Sequence, residues 1–298
     1  MDYGVYRIVV ILWTTSTREF KILPPSLLPH PSFLNPSTNE FKILLPPLVR
    51  RPPSRGYLTL QHVMYNDAAF GFDSETDNYK FIRFVTLNFD SEQEISDFRF
   101  ASQVELYSLK SDSWKEISLP NFDIPQPLEW GTYLDGIFYW KIMMREDKDA
   151  IVSFDIANEK FSILLMSEFV GCYTEDPYRV KLLVLNGSLG AIVYPSTYIA
   201  IEPWIAPENY FHFWVMNGEA WTIQFSIESV PEVSHPLEFW KTGELFLTST
   251  NNEIVLLDIS TQELKKLRID TCLDVYAHYI SLFAYVESLV LIKSMMNI

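Results

Sequence analysis

Five histidines and two cysteines are the chain's whole supply of the side chains that most often ligate zinc or serve as nucleophile and base. Their spacing argues against that chemistry. His30, His62, His212, His235 and His278 are isolated, so no two share the spacing of a helical metal site, and no Cys-x-x-Cys occurs. His212 lies between Phe211 and Phe213 in a strand-like run and reads as structural. Cys172 and Cys272 each lack a neighbouring His or basic side chain that would draw the thiol towards thiolate, so both read as inert. No Gly-x-Ser-x-Gly elbow and no phosphate-binding P-loop is present, and Gly totals only 10 in 298 residues. The chain is therefore expected to bind no metal or cofactor and to catalyse no reaction.

The chemistry that remains is recognition. Trp130 follows Pro125, Pro127 and Glu129, and Trp204 sits within Glu202-Pro203-Trp204-Ile205-Ala206-Pro207-Glu208. Both fall in inferred loops, where a large amphipathic ring is free to anchor a partner. Acidic loops accompany them: Asp90, Glu92 and Glu94 in one, Asp147 and Asp149 in a second, Glu175 and Asp176 in a third. Solvated turns are the plain alternative for each. With 38 Asp and Glu against 23 Lys and Arg the formal charge is −15, which disfavours a nucleic-acid backbone and steers basic proteins towards the surface. The apolar run Val5 to Trp13 is too short to span a bilayer, so no membrane partner is expected. Two isolated thiols in a long chain suit a reducing compartment, the cytoplasm or the nucleus.

The elements that would position these loops announce themselves by repetition. Thr15-Ser16-Thr17-Arg18-Glu19-Phe20-Lys21-Ile22-Leu23 is echoed by Pro36-Ser37-Thr38-Asn39-Glu40-Phe41-Lys42-Ile43-Leu44. Similar stretches begin at Leu109, Ile156 and Ile259. Each has a polar turn, then a large residue, then one or two polar residues, then Ile or Leu. That is hairpin chemistry, and Asn186-Gly187 and Asn217-Gly218 add two strong turn signals. Strand-like runs follow one another from Leu58 onward, and helical periodicity is lacking. Hairpins recurring every 40–60 residues or so predict an all-β fold, a kelch-like β-propeller of about five or six blades. A large sandwich is the alternative. The aromatic share of 15% supplies a sizeable core, and Trp114, Trp140, Trp214, Trp221 and Trp240, in or beside strands, are expected to pack between neighbouring sheets. Residues 1–56, crowded with prolines, form an irregular segment, with the propeller at 57–298. Of the two early copies, one is expected to form a blade strand and the other to loop out.

The motifs resemble a known family. Ala69-Phe70-Gly71-Phe72-Asp73-Ser74-Glu75-Thr76-Asp77-Asn78-Tyr79-Lys80 is similar to the opening of plant F-box-associated domains. Val104 to Lys115, Asp135 to Trp140, Ile151 to Asp155, Phe213 to Thr222 and Glu287 to Val290 resemble later motifs of the family, in its order. The nearest group is the S-locus F-box type, and Leu12–Leu23 resembles a family motif that normally lies well after the F-box. The resemblance implies the substrate-binding half of an F-box subunit of a cullin-RING ubiquitin ligase. It also implies a target protein, with a basic S-ribonuclease of self-incompatibility as one candidate. The helical F-box that docks a Skp-type adaptor has no counterpart in the sequence, which puts that partner in doubt and leaves a decoy or remnant as the alternative to a ligase role. A propeller enzyme is a further alternative, but no phased set of His, Asp or Glu supports it.

Overall fold

In the computed structural model, residues 8–14, 19–23, 32–35, 40–43, 58–91, 100–118, 131–143, 149–166, 178–195, 210–218, 220–227, 233–240, 243–249, 251, 253–267 and 279–285 are described. Every regular element among them is a strand. The chain forms two compact units, one of residues 1–46 with 231–298, the other of residues 47–230.

The 47–230 unit holds three four-stranded antiparallel meanders. The first is β5 (Leu58–Asp73), β6 (Asn78–Ser91), β7 (Phe100–Ser108) and β8 (Ser113–Ile117). The second is β9 (Thr132–Leu134), β10 (Ile137–Met143), β11 (Asp149–Asp155) and β12 (Lys160–Leu165). The third is β13 (Tyr178–Leu185), β14 (Ser188–Pro195), β15 (Phe211–Asn217) and β16 (Ala220–Ile227). In the other unit β17 (Val233–Trp240), β18 (Glu244–Ser249), β19 (Ile254–Asp258) and β20 (Leu264–Lys266) make a fourth. There too β1 (Ile8–Thr14) pairs antiparallel with β2 (Glu19–Leu23) and parallel with β21 (Tyr279–Tyr285). A separate pair joins β3 (Ser32–Asn35) to β4 (Glu40–Ile43).

All five copies of the repeated stretch therefore mark a hairpin. The structure differs from the expectation that one of the two early copies loops out: both form hairpins, the second included. The prolines around it fall outside both strands, so the ladder loses no donor.

The turn chemistry is local and repeated. A strand-final Asp bends its carboxylate back over the next turn: Asp73 Oδ1 accepts from the Glu75 and Thr76 amides at 3.0 and 3.3 Å. Asp155 Oδ1 accepts from Ala157 and Asn158, each at 2.9 Å, and Asp258 Oδ1 from Ser260 and Thr261 at 2.8 and 3.1 Å. The fourth turn residue is left-handed in all three, Asp77 at φ 49°, Glu159 at 54° and Gln262 at 58°, and likewise Asp112 at 49° in the turn after Ser108. Asp135-Gly136 and Asn186-Gly187 carry positive φ at both positions, as a two-residue turn matched to strand twist requires.

Stacking of the meanders makes the core. The second sheet buries one face on the first: Phe138, Trp140, Val152 and Phe154 meet Ile82, Phe84, Val104 and Leu106. Its other face meets the third, where Ile151 joins Val180, Leu182, Ala191, Val193 and Trp221. The strand β11 is thus buried on both sides, and its apolar run Ala150-Ile151-Val152 is explained. Close packing leaves little slack in the third sheet. A Cβ on Gly190 would stand 3.0 Å from Leu185 Cβ and 3.1 Å from the Trp214 carbonyl oxygen. Gly190→Ala is expected to cost about 1–3 kcal/mol, read as a lowered midpoint in denaturant melting.

Candidate recognition surface

Three hairpin turns of the 47–230 unit meet at one buried ion cluster. Lys80 Nζ lies 2.8 Å from Asp73 Oδ2 and 2.9 Å from both Glu159 Oε1 and the Ile156 carbonyl oxygen. Lys115 pairs with the other oxygen of Glu159. Asn78 ties the neighbouring turn, donating to Ser108 Oγ and accepting from the Lys110 amide, each at 2.9 Å. Burial pushes the Asp73 carboxyl up, but hydrogen bonds from Lys80, Thr76 and Glu75 outweigh it and hold the pKa at about 2. Burial acts against charged Glu159 too, and Lys115 with Lys80 brings its pKa below the ordinary value. A cavity of about 240 Å³ opens here between Thr76, Ser108, Ser111, Lys115 and Glu159. Lys80 and Lys115 are answered by Asp73 and Glu159, so the cluster reads as a staple between the first two sheets.

A second buried pair lies on the opposite face of the first sheet. Arg83 Nε donates to Glu105 Oε2 at 2.7 Å, Gln103 donates to Oε1 at 3.0 Å, and the guanidinium stacks 4.1 Å above the Trp114 ring. This is positioning chemistry: Trp114, half-buried, is held between Arg83, Phe81 and Tyr107.

The surface best suited to a partner lies at the turn end of β5. Phe70 and Phe72 are 46% and 37% exposed, and Tyr133 of β9 is 39% exposed. Phe70 and Phe72 share one face of β5, while Tyr133 packs at its opposite face, against Gly71. Phe70 stacks on Tyr79 at 5.2 Å, Phe72 tilts on Tyr79 at 4.9 Å, and Tyr133 donates its hydroxyl to the Phe72 carbonyl oxygen at 3.4 Å. Exposed carboxylates stand in the adjoining turns, at Glu75, Asp77 and Asp135. Rigid aromatic rings beside carboxylates suit lysine or arginine side chains, through ring-face attraction and Coulomb steering together.

The residues singled out from sequence fare unevenly. Asp149 opens β11 and pairs with Lys141 Nζ at 3.1 Å, as a half-buried rung of the sheet. Asp90 stands near the end of β6, opposite Thr59. Trp130, Trp204, Glu92, Glu94, Asp147, Glu175 and Asp176 lie outside the described residues. Trp140 and Trp221 are buried in the two inter-sheet cores, and Trp214 packs against the second. Among the described residues no three His, Cys, Asp or Glu converge as a metal set, and no helix is long and apolar enough to cross a membrane. Sequence reasoning missed Asp73, Lys80 and Glu159 as a unit. The strand-final Asp before each turn was the available signal, but nothing in spacing joins residue 80 to residue 159.

The F-box associated beta propeller domain model matches residues 33–292. The chain belongs to that family. It is similar to the F-box protein CPR1 of Arabidopsis thaliana, 29% identical over 253 residues that span 76% of this chain and 58% of that protein. It is also similar to the F-box protein At4g22390 of Arabidopsis thaliana, 24% identical over 234 residues, 72% of this chain and 54% of that one. The chain spans about half the length of the curated relatives it matches. Among solved structures, rhamnogalacturonan lyase PL11 of Bacillus licheniformis aligns with 70% of this chain and 51% of its own at 9% identity. Its TM-score of 0.37 is too low to bear on fold or activity. As an F-box associated domain the chain is a propeller-type all-β protein, and the stacked meanders are its sheets. Of the two hairpin copies, the second lies within the family's span from Phe33 onward and the first precedes it.

Proposed function

We propose that this chain is the substrate-recognition part of an SCF-type ubiquitin ligase subunit, holding a target protein and catalysing nothing itself. The family match over residues 33–292 carries the reading, supported by relatives that are named F-box proteins. The target presents a basic surface. This follows from the charge of −15 and from the exposed Glu75, Asp77 and Asp135 in the turns that adjoin the exposed aromatic residues. A basic ribonuclease of the S-locus type fits that chemistry and is the first probe to try. The protein works in the cytoplasm or nucleus, where ligases of this type act.

The test measures association with a purified basic S-ribonuclease at two ionic strengths. It compares the chain with a Glu75→Lys/Asp77→Asn/Asp135→Asn variant. Asn is chosen because it tolerates the left-handed backbone that Asp77 and Asp135 adopt at φ 49° and 47°. The variant is expected to associate about tenfold more slowly at low salt, with a flatter salt dependence. Equal rates for both proteins would remove this surface from the reading. Failure to capture either a target or a Skp-type adaptor from plant extract would sink the ligase role itself.

A further inference from the structure

The first 44 residues carry the pentapeptide Glu-Phe-Lys-Ile-Leu twice, at 19–23 and at 40–44. Both copies form the second strand of a hairpin, and the two hairpins share one register. Thr14 pairs with Glu19, Trp13 with Phe20, Leu12 with Lys21 and Ile11 with Ile22. Asn35 pairs with Glu40, Leu34 with Phe41, Phe33 with Lys42 and Ser32 with Ile43. The intervening segments, 15–18 and 36–39, are of equal length. One hairpin is therefore a displaced copy of the other, strand for strand and rung for rung.

Their surroundings differ. The first hairpin has a seat: β1 lies between β2 and β21, paired in parallel with β21 from Ile8↔Tyr279 to Thr14↔Tyr285. The second, β3–β4, is a sheet of two strands among the described residues. An isolated two-stranded hairpin is marginal in water, so this one gains by finding a third strand. Yet the second copy is the one that falls, from Phe33 onward, within the family's span.

We infer that β1–β2 and β3–β4 are interchangeable occupants of the β21 edge, with β1 holding the seat through its greater length and β3 able to replace it. The shared register fixes how far the replacement reaches. Ser32, Phe33, Leu34 and Asn35 stand for Ile11, Leu12, Trp13 and Thr14, whose partners are Leu282, Phe283, Ala284 and Tyr285. The position corresponding to Val10 is Pro31, which has no amide to donate and ends the ladder there. The second hairpin thus covers residues 282–285 of β21 and leaves 279–281 uncovered. The first covers all seven residues of the strand.

Hydrogen exchange on the full chain tests this, with proline pairs that remove two amides on one side of a strand. Ile11→Pro/Trp13→Pro blocks the first hairpin, and Ser32→Pro/Leu34→Pro blocks the second at the corresponding positions. The first variant is expected to keep the protected amides among 282–285 within about tenfold of the parent while those among 279–281 exchange freely. The second is expected to leave β21 unchanged. With all four prolines present, protection across β21 is expected to fall more than about a hundredfold, a loss well beyond the sum of the two. The inference is overturned if blocking β1 alone strips residues 282–285 as fully as all four prolines do, or unfolds the chain. It is equally overturned if β21 stays protected with both hairpins blocked.

Discussion

Lys80→Met is expected to lower stability by about 3–5 kcal/mol, the cost of leaving a buried carboxylate without its counter-ion. The Asp73 side chain is fully buried, with the Lys80 ammonium 2.8 Å from Oδ2. Removing that cation strands Asp73 and frees one side of Glu159. The double variant Lys80→Met/Asp73→Asn is expected to recover much of the loss, since neither charge then remains inside. Acid titration gives an independent reading. The folded pKa of Asp73, about 2, lies below its ordinary value of 3.8. Its contribution, about 2 kcal/mol, is complete above pH 4 or so and is lost as pH falls towards 2. In Lys80→Met the same acidification should cost less, because the stranded carboxylate gains from protonation. Denaturant melts of both proteins at pH 7 and pH 3 decide the matter. Equal losses between those two pH values in parent and variant would show that the cluster does not carry this stability.

Trp140→Ala is the second large effect, at about 3–5 kcal/mol. The ring is fully buried, meets Phe84 edge-on at 5.0 Å and Phe138 at 5.7 Å, and fills the seam between the first two sheets. No single neighbour can close so large a cavity, because the seam is bounded by rigid strands on both sides. Gly131 lies against the same ring: a Cβ there would sit 2.4 Å from the indole nitrogen. Trp140→Phe is expected to cost much less than Trp140→Ala, since it keeps an aromatic contact with Phe84. A thermal melt in which the alanine and phenylalanine variants coincide would mean that the seam collapses around either side chain.

Hairpins were readable from residues because their causes are local. Asp155 before Ala157 and Asn158, or Asn186 before Gly187, dictates its turn through its own side chain or backbone freedom, whatever lies across the sheet. Strands without such flags escaped notice. Within β17, Pro236 argues against a strand, yet it is held at a sheet edge with register shifts on either side. The three-residue β9 is too short to show a period. Pairing between distant residues was not readable at all. Lys80 meets Glu159 because two hairpin turns of adjacent sheets coincide in space, and alternation along a strand carries no record of that. The aromatic surface was half visible: Phe70 and Phe72 stood in a quoted motif, but their exposure depends on which face β5 turns outward.

The parallel pairing of β1 with β21 has a consequence for biosynthesis. Each four-stranded meander is made of consecutive strands and can close soon after its last strand clears the ribosome. The sheet containing β1 cannot, because β21 is translated after every other described strand. For nearly the whole of elongation the Ile8–Thr14 segment, with its run of Ile, Val and Leu, waits for a partner not yet made. A nascent chain stalled before residue 279 should therefore be held by chaperones that a chain whose β21 has cleared the ribosome has released.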